Sequence, residues 1–167
     1  MNNRISSAVI LVGLLVACLS GAAQSRSSWV TDRDAEFGFT FTYPPDLFHS
    51  VEGDEKPSFY YFRSSAADAK LLFGAWDNVR QQTPEAFQSW LIENAGGYKE
   101  ITYRPGGRSW FVLSGYRGEH IYYEKVMFSC AGRVVNVFAI SYSTNQRHVF
   151  DPLVERIEDS FGPGRNC

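Results

Sequence analysis

The residues best suited to carry chemistry in this chain are dispersed along it. The three histidines, His49, His120 and His148, lack the short spacing that is typical of a metal site. The sequence contains no Gly-x-Ser-x-Gly elbow, no glycine-rich phosphate loop and no His-Glu-x-x-His motif. These patterns predict neither a metal nor a cofactor, they assign no catalytic residue, and they favour a non-catalytic role.

One acidic residue lies inside an apolar stretch of sequence. Glu124 is part of a predicted strand, in which it and Lys125 point to opposite faces. An ion pair with Arg108 or Arg117 on a neighbouring strand explains Glu124 most simply. The alternative is an enzyme whose site forms only in the fold, in which case a deep pocket would hold Glu124, His120 or Arg108.

Aromatic residues make up 16% of the sequence and offer a different kind of site. Trp110, Tyr116 and Tyr122 lie on two consecutive predicted strands. Together with Arg108 and Glu124 they are the candidate binding residues, as an exposed platform for a partner. Packing against the core or the sheet is the competing interpretation, because aromatic side chains bury a large area.

Composition and charge exclude several classes of protein. The chain has 167 residues, of which 44% are hydrophobic and 20% are charged, as expected for one globular domain. Disordered and collagen-like chains have a different balance. The net charge of -2 provides no general attraction to phosphate backbones, so we expect no nucleic-acid partner.

The first residues have the pattern of a secretory signal. One positive charge at Arg4 precedes the apolar run 8–19, and small residues follow. The run is too short to cross a bilayer as a helix. Cleavage after Ala23 would make residues 1–23 a signal peptide and residues 24–167 a single domain.

A second interpretation of this segment involves a lipid anchor. The residues Leu15-Val16-Ala17-Cys18 resemble the bacterial lipobox, which would make residues 1–17 the signal and Cys18 a lipidated residue. The protein would then contact the membrane only through that anchor. Both interpretations predict an extracytoplasmic and most simply periplasmic protein, either soluble or lipid-anchored.

The cysteines are consistent with export. Removal or lipidation of Cys18 leaves Cys130 and Cys167, and an even pair in an exported chain predicts a disulfide. Neither cysteine has a neighbour at the spacing of a metal site.

Alternation of apolar with polar residues predicts strands, and the short links between them predict a largely antiparallel sheet. The stretch 37–43 places its aromatic side chains on one face. Residues 49–57 are predicted to form a loop, and Pro105-Gly106-Gly107 a hairpin turn. Such short links join only antiparallel neighbours. Strands are predicted over residues 37–43, 58–63, 70–76, 98–104, 109–116, 120–129 and 133–142.

Two helices are predicted beside these strands. The first has Thr83 as N-cap and Pro84 at its first position, and Gly96-Gly97 ends it. The second either begins at Asp151 or, as we prefer, begins near Gln146 with a kink at Pro152. The first helix has a stripe that should face the core, formed by Phe87, Trp90, Leu91 and Asn94. The fold class is therefore α+β, an antiparallel sheet of six or seven strands flanked by helices.

With these elements in place, the chain resembles the PsbP/DcrB-like family of exported proteins. The resemblance rests on Gly38-Phe39 leading to Tyr43-Pro44, on Ser114-Gly115 leading to Tyr123-Glu124-Lys125, and on the closing segment 157–161. It implies an α/β/α sandwich with a central antiparallel sheet.

The resemblance implies an accessory factor, because the members of that family act as accessory factors and share no catalytic motif. They include extrinsic photosystem subunits, periplasmic lipoproteins and a Ran-binding transport factor. The resemblance implies a non-catalytic binding or assembly module of the bacterial cell envelope, with an envelope protein as partner. The alternatives are a periplasmic enzyme and a carrier of a small apolar ligand in an aromatic-lined cavity.

Overall fold

The computed structural model describes residues 28–51, 56–64, 67–94, 97 and 100–167. The predicted signal segment and Cys18 lie outside these residues. None of the described helices is long and apolar enough to span a membrane. In chain order the elements are β1 (Val30–Arg33), β2 (Thr40–Tyr43), β3 (His49–Ser50), β4 (Phe59–Arg63), β5 (Ala69–Asp77), α1 (Pro84–Asn94), β6 (Glu100–Tyr103), β7 (Gly106–Gly107), β8 (Trp110–Arg117), β9 (His120–Ser129), β10 (Val134–Ser143) and α2 (Arg147–Ser160).

A large antiparallel sheet forms the centre of the molecule. Its strand order is β3-β4-β5-β10-β9-β8-β6, and the two-residue β7 also pairs with β8. Every pairing in this sheet is antiparallel. Short links of the kind that joins antiparallel neighbours connect β4 to β5, β7 to β8, β8 to β9 and β9 to β10. The predicted α+β class with a large antiparallel sheet is confirmed.

Two short strands differ from the sequence-based prediction. His49–Ser50 was expected in a loop but pairs with β4 as β3. Gly106 and Gly107 were expected to form a turn but pair with Phe111 and Trp110. The turn lies instead at Arg108-Ser109. Glycine suits position 107 of β7, because a Cβ atom at this position would lie 2.4 Å from the indole nitrogen of Trp110, which is too close for a side chain.

The end of the phenylalanine-rich stretch 37–43 forms β2, which pairs with β1 in a separate two-stranded ladder. Its alternation buries Phe39 and Phe41 completely. The ring of Phe41 stacks on Phe73 of β5, with the two centroids 4.3 Å apart. The predicted aromatic face is thus the side of this ladder that packs on the large sheet.

Helix α2 covers the same face of the sheet as this ladder. Phe150, Val154 and Ile157 recur at helical spacing and are buried against residues of β10 such as Ile140. Pro152 lies inside the helix with its side chain exposed, and a 3-10 turn, Thr144–Gln146, precedes the helix. The structure therefore has the longer of the two predicted helices.

Helix α1 packs on the opposite face. It begins at Pro84, and the amide of Ala86 donates to the Thr83 Oγ1 atom at 3.2 Å, so that Thr83 caps the helix as predicted. Phe87 and Leu91 are buried in a second core with residues of β8, β9 and β10. Trp90, expected in the buried stripe, is 39% exposed and stacks on the ring of Phe87.

The last residues return to the body of the protein. Cys130 and Cys167 are joined by a disulfide with their Cα atoms 5.5 Å apart. The amide of Gly164 donates to Asn136 Oδ1 at 2.8 Å, and Asn136 is fully buried. The segment after α2 is therefore held by both a covalent bond and polar contacts.

Candidate functional site

Helix α1 covers only part of its face of the sheet. The buried residues beneath it include Phe111, Val126 and Val137, which form one cross-strand row. Each row consists of residues that are directly paired across neighbouring strands. The next two rows on this face, beyond the one under α1, form an open depression of about 280 Å³, which we name the sheet cleft. The described side chains of these rows that line it are Tyr61, Arg63, Lys70, Leu72, Tyr122, Glu124, Ala139 and Ser141, and Arg117 lies at its rim.

The sheet cleft has an apolar floor and a charged rim. Leu72 of β5 and Ala139 of β10 are directly paired and half-buried, although they lie in the middle of the sheet. Tyr61 of β4 pairs with Leu72 on the other side. Arginine and lysine side chains at the rim are exposed. The cleft can thus offer apolar and aromatic contact together with charged hydrogen bonds.

Arg117 and Tyr122 are positioned by each other. The guanidinium carbon of Arg117 lies 5.7 Å from the centre of the Tyr122 ring, within the range of a cation–π contact. Its Nε atom donates to the carbonyl oxygen of Gly97 at 2.8 Å. Burial raises the pKa of Tyr122, while the positive charge of Arg117 opposes that shift and the negative charge of Glu124 adds to it. Tyr122 therefore enters the cleft as a neutral phenol.

The candidate binding residues predicted from the sequence do not form one surface. Tyr122 and Glu124 line the sheet cleft. Tyr116 lies on the other face of the sheet and is half-buried against the core beneath α2. Arg108 and Trp110 lie together at the far end of β8. Alternation along the strands separates Tyr116 from Tyr122, because paired residues share a face and their neighbours do not.

Several residues of the sheet cleft were missed by the sequence analysis. Tyr61 and Leu72 belong to the predicted hairpin, in which Phe62 and Leu71 face the α2 side and are buried. Because the hairpin is apolar on both faces, its sequence does not distinguish the covered face from the open one. Lys70 could have indicated which face is open, because it is a charged residue on the same face as Leu72.

The partner of Lys125 lies on the face opposite Glu124, as the predicted alternation requires. Lys125 Nζ donates to the Glu158 carboxylate of α2 at 2.9 Å, and the hydroxyl of Tyr123 donates to the same carboxylate. Arg108, one of the two bases considered for an ion pair with Glu124, precedes the first residue of β8, whereas Glu124 pairs with Leu113 in the middle of that strand. Arg117 lies on the face of the sheet that carries Glu124.

Glu124, His120 and Arg108, the residues named for the alternative of an enzyme, are also separated. His120 Nε2 lies 2.8 Å from Asp68 Oδ2, and His120 pairs across the strands with Arg117 and Ser143. Neither His120 nor Arg108 is among the described residues that line the sheet cleft with Glu124. Within the described ranges, no three His, Cys, Asp or Glu side chains converge as metal ligands would.

A second and larger depression opens at the other end of the sheet. It has a volume of about 870 Å³ and lies between the β5–α1 loop, the β7–β8 turn and the turn after β9. We name it the loop cleft. It contains Arg108 and Arg133 together with Cys130 of the disulfide, and its other walls come from residues 78–79, 81–84, 109, 128–129 and 131–132.

Comparison of the sequence with protein-family models and with curated proteins finds no match. The structure is similar to that of CyanoP, the cyanobacterial PsbP of Synechocystis sp. PCC 6803, with a TM-score of 0.59 and 16% identity; the match covers 90% of this chain and 99% of that chain. It is also similar to the Ran-binding protein Mog1p of Saccharomyces cerevisiae, with a TM-score of 0.59 and 12% identity, covering 82% of this chain and 96% of that chain.

Both similarities extend over most of each chain, and their low sequence identity restricts them to the arrangement of the elements. The expectation of a PsbP-like fold, which was drawn from the Gly-Phe, Tyr-Pro and Tyr-Glu-Lys motifs, is confirmed for the arrangement of the elements. The chain has the PsbP-like fold, the architecture that it shares with CyanoP and Mog1p.

Proposed function

We propose that this protein is an exported, non-catalytic binding or assembly module of the bacterial cell envelope, and that it binds a protein partner at the sheet cleft. The observation that carries the proposal is the incomplete cover of the sheet by α1. The proposal of export rests on the pattern of residues 1–23 and on the Cys130–Cys167 disulfide.

The surface of the sheet cleft has the chemistry of a protein interface. Tyrosine and arginine are enriched at such interfaces, and Tyr61, Arg63 and Arg117 all line this cleft. Leu72 and Ala139 supply an apolar centre within the charged rim. A partner side chain placed on that centre would remove apolar surface from water while the rim stays hydrated.

The size of the sheet cleft favours a protein partner over an enclosed small molecule. Pockets for small ligands commonly have volumes of about 300–1,000 Å³ and bury most of the ligand. The sheet cleft has about 280 Å³ and is open on the side of its exposed rim. It can receive one or two side chains of a larger partner.

The chemistry of the sheet cleft favours binding over hydrolysis. Glu124 is the one carboxylate among the described residues that line it. Glycoside hydrolysis uses two converging carboxylates, and nucleophilic catalysis uses a nucleophile with an adjacent base. The similar fold of Mog1p, a Ran-binding protein, supports a binding role for such a scaffold.

Site-specific photo-crosslinking tests the proposal. A benzophenone side chain would replace Tyr61 or Leu72 in the protein expressed with its export signal in its own host. We expect both positions to capture the same envelope protein after irradiation. The same probe at Glu155, which is exposed on α2 across the sheet, should not capture it.

Two tyrosine variants provide matched affinity measurements. Tyr61→Ala should weaken binding of the captured partner about tenfold, because it removes an aromatic contact at the centre of the interface. Tyr103→Ala removes a tyrosine that is 55% exposed on β6 and should change binding less than about twofold. Equal effects of the two variants would contradict the proposed site. A turnover abolished by Glu124→Gln, or a small molecule retained in native mass spectrometry, would replace it with one of the alternative functions.

A further inference from the structure

The loop cleft is positively charged. Arg108 and Arg133 line it, and none of the described residues that line it is acidic. The chain as a whole has a net charge of -2, so this cleft differs in sign from the molecule around it. A cleft lined by one sign of charge raises the local concentration of ligands of the opposite sign.

Both arginines have N–H groups to offer a ligand. Arg108 is exposed and makes no hydrogen bond or ion pair within the described ranges. Arg133 donates from Nε to the carbonyl oxygen of Cys130 at 3.1 Å and from Nη2 to the backbone O atom of Cys167 at 3.2 Å. A guanidinium group has five N–H donors, so these two bonds orient Arg133 and leave others for a ligand.

The walls of the loop cleft are tied together. The side-chain amide nitrogen of Asn78 donates to the carbonyl oxygens of Gln82 and Gly132, at 2.9 and 2.8 Å. The backbone amide of Asn78 donates to Arg133 O at 2.7 Å. The disulfide fixes Cys130 on the opposite wall. A ligand entering this cleft would meet donors that are already in place, which lowers the entropy cost of binding.

The backbone of these walls is also unusual. Gln81, Cys130 and Ala131 have φ angles of 51°, 53° and 57°, in the left-handed region that residues other than glycine seldom adopt. All three line the loop cleft. Such conformations persist where the surrounding structure enforces them, and they occur frequently at ligand sites.

We infer that the loop cleft binds a phosphate-bearing ligand through the guanidinium groups of Arg108 and Arg133. Arginine suits this chemistry because its planar fork matches two oxygens of one phosphate. The volume of about 870 Å³ accommodates a phosphate together with the group that carries it. The ligand is either a soluble phosphate ester or the headgroup of an anionic phospholipid. This inference concerns a different site from the sheet cleft and is independent of the proposed function.

Titration with inorganic pyrophosphate, followed by NMR of the oxidised protein, tests the inference. The amides of Gln81, Ala131 and Gly132 should shift in a saturable manner. Arg108→Ser should weaken binding about tenfold, since one charge-assisted hydrogen bond contributes roughly that factor. Arg80→Ser is the matched control, because Arg80 is an exposed arginine of the β5–α1 loop, which forms one wall of the loop cleft, but its side chain lines a neighbouring groove. It should change binding less than about twofold.

Flotation with vesicles identifies the source of the phosphate. Binding to phosphatidylglycerol vesicles but not to phosphatidylcholine vesicles, weakened by Arg108→Ser and not by Arg80→Ser, assigns the site to a lipid headgroup. Pyrophosphate binding without flotation assigns it to a soluble phosphate ester. The inference is wrong if neither probe binds, or if Arg80→Ser weakens binding as much as Arg108→Ser does.

Discussion

Glu158 is one of the residues that join helix α2 to the sheet. Its carboxylate accepts hydrogen bonds from the hydroxyl of Tyr123 and from Lys125 Nζ, both on β9. The side chains of Lys125 and Glu158 are 19% and 27% exposed, so the pair is partly removed from water. Removal of one partner from such an ion pair leaves the other charge partly buried and unpaired, and this lowers the stability of the protein.

Replacement of Glu158 by alanine should lower the free energy of unfolding by about 2–3 kcal/mol, because it leaves a partly buried ammonium group and a phenol without their acceptor. Glu155→Ala, on the exposed side of the same helix, should change stability by less than about 0.5 kcal/mol. Urea denaturation followed by circular dichroism measures both values. Similar losses for the two variants would show that the contact with β9 contributes little.

Tyr60 is a second residue whose environment sets a measurable property. Burial, together with the hydrogen bond that its hydroxyl donates to Asp34 Oδ2 at 3.0 Å and the charge of that carboxylate, raises the pKa of Tyr60 to about 12. Asp34 is itself only 3% exposed and also accepts from the amide of Phe37. The phenol must therefore stay protonated to keep this contact.

Alkaline pH should remove the contribution of Tyr60 to stability. Its pKa is higher in the folded state than the ordinary value of 10.0, so the contribution is complete below about pH 10 and is lost as the pH rises through about 12. Tyr60→Phe should unfold with a weaker dependence on pH in that window. Denaturation curves for both proteins between about pH 9 and pH 12 provide the measurement, and identical slopes would contradict the assignment.

At the scale of elements, helix α2 carries a residue that opposes helix formation. Pro152 has no N–H group and cannot complete the backbone hydrogen bond of the helix at its position. The helix forms nevertheless because Phe150, Val154 and Ile157 are buried against the sheet. Tertiary packing thus outweighs the local preference at this position.

Pro152→Ala should therefore raise the free energy of unfolding, by about 1 kcal/mol or more. The proline side chain is exposed, so the substitution removes no core contact and restores a backbone donor. Thermal and chemical denaturation of the variant and the parent provide the comparison. A decrease in stability would mean that the proline conformation is needed to orient Phe150 or Val154.

Elements with strong local signals were predicted closely from the sequence. The start of α1 was predicted from Thr83 and Pro84, because capping chemistry is confined to a few adjacent residues. The two-residue strands β3 and β7 were missed, because so short a segment has no periodicity. Trp90 was assigned to the buried stripe since helical spacing gives the angular position of a side chain but not how far a neighbouring surface extends.

At the scale of the whole molecule, the disulfide joins the turn after β9 to the segment after α2. The amide of Asn166 donates to Phe37 O at 3.1 Å, and Gly162 forms a bridge with Thr40 of β2. The segment thereby contacts both the large sheet and the β1–β2 ladder. The covalent bond and these contacts act on the same part of the chain.

Cys130→Ser/Cys167→Ser should lower the free energy of unfolding by up to roughly 4 kcal/mol in the chain-entropy model, because the unfolded chain gains the freedom of a loop closed between residues 37 positions apart. Reductant should lower the urea midpoint of the parent protein and leave that of the double variant unchanged. Two reactive thiols in freshly isolated, unreduced protein would show that the disulfide does not form in the cell.

The longer strands, both helices, the antiparallel character of the sheet and the pairing of Cys130 with Cys167 follow from the amino-acid sequence alone. These depend on local periodicity, capping and chain connectivity, which short stretches encode. The three-dimensional arrangement was needed to show that α1 leaves Leu72 and Ala139 open and that Arg108 and Arg133 line one cleft. Each of these depends on how far one element extends over another and on contacts between residues distant in the chain, and neither leaves a local pattern.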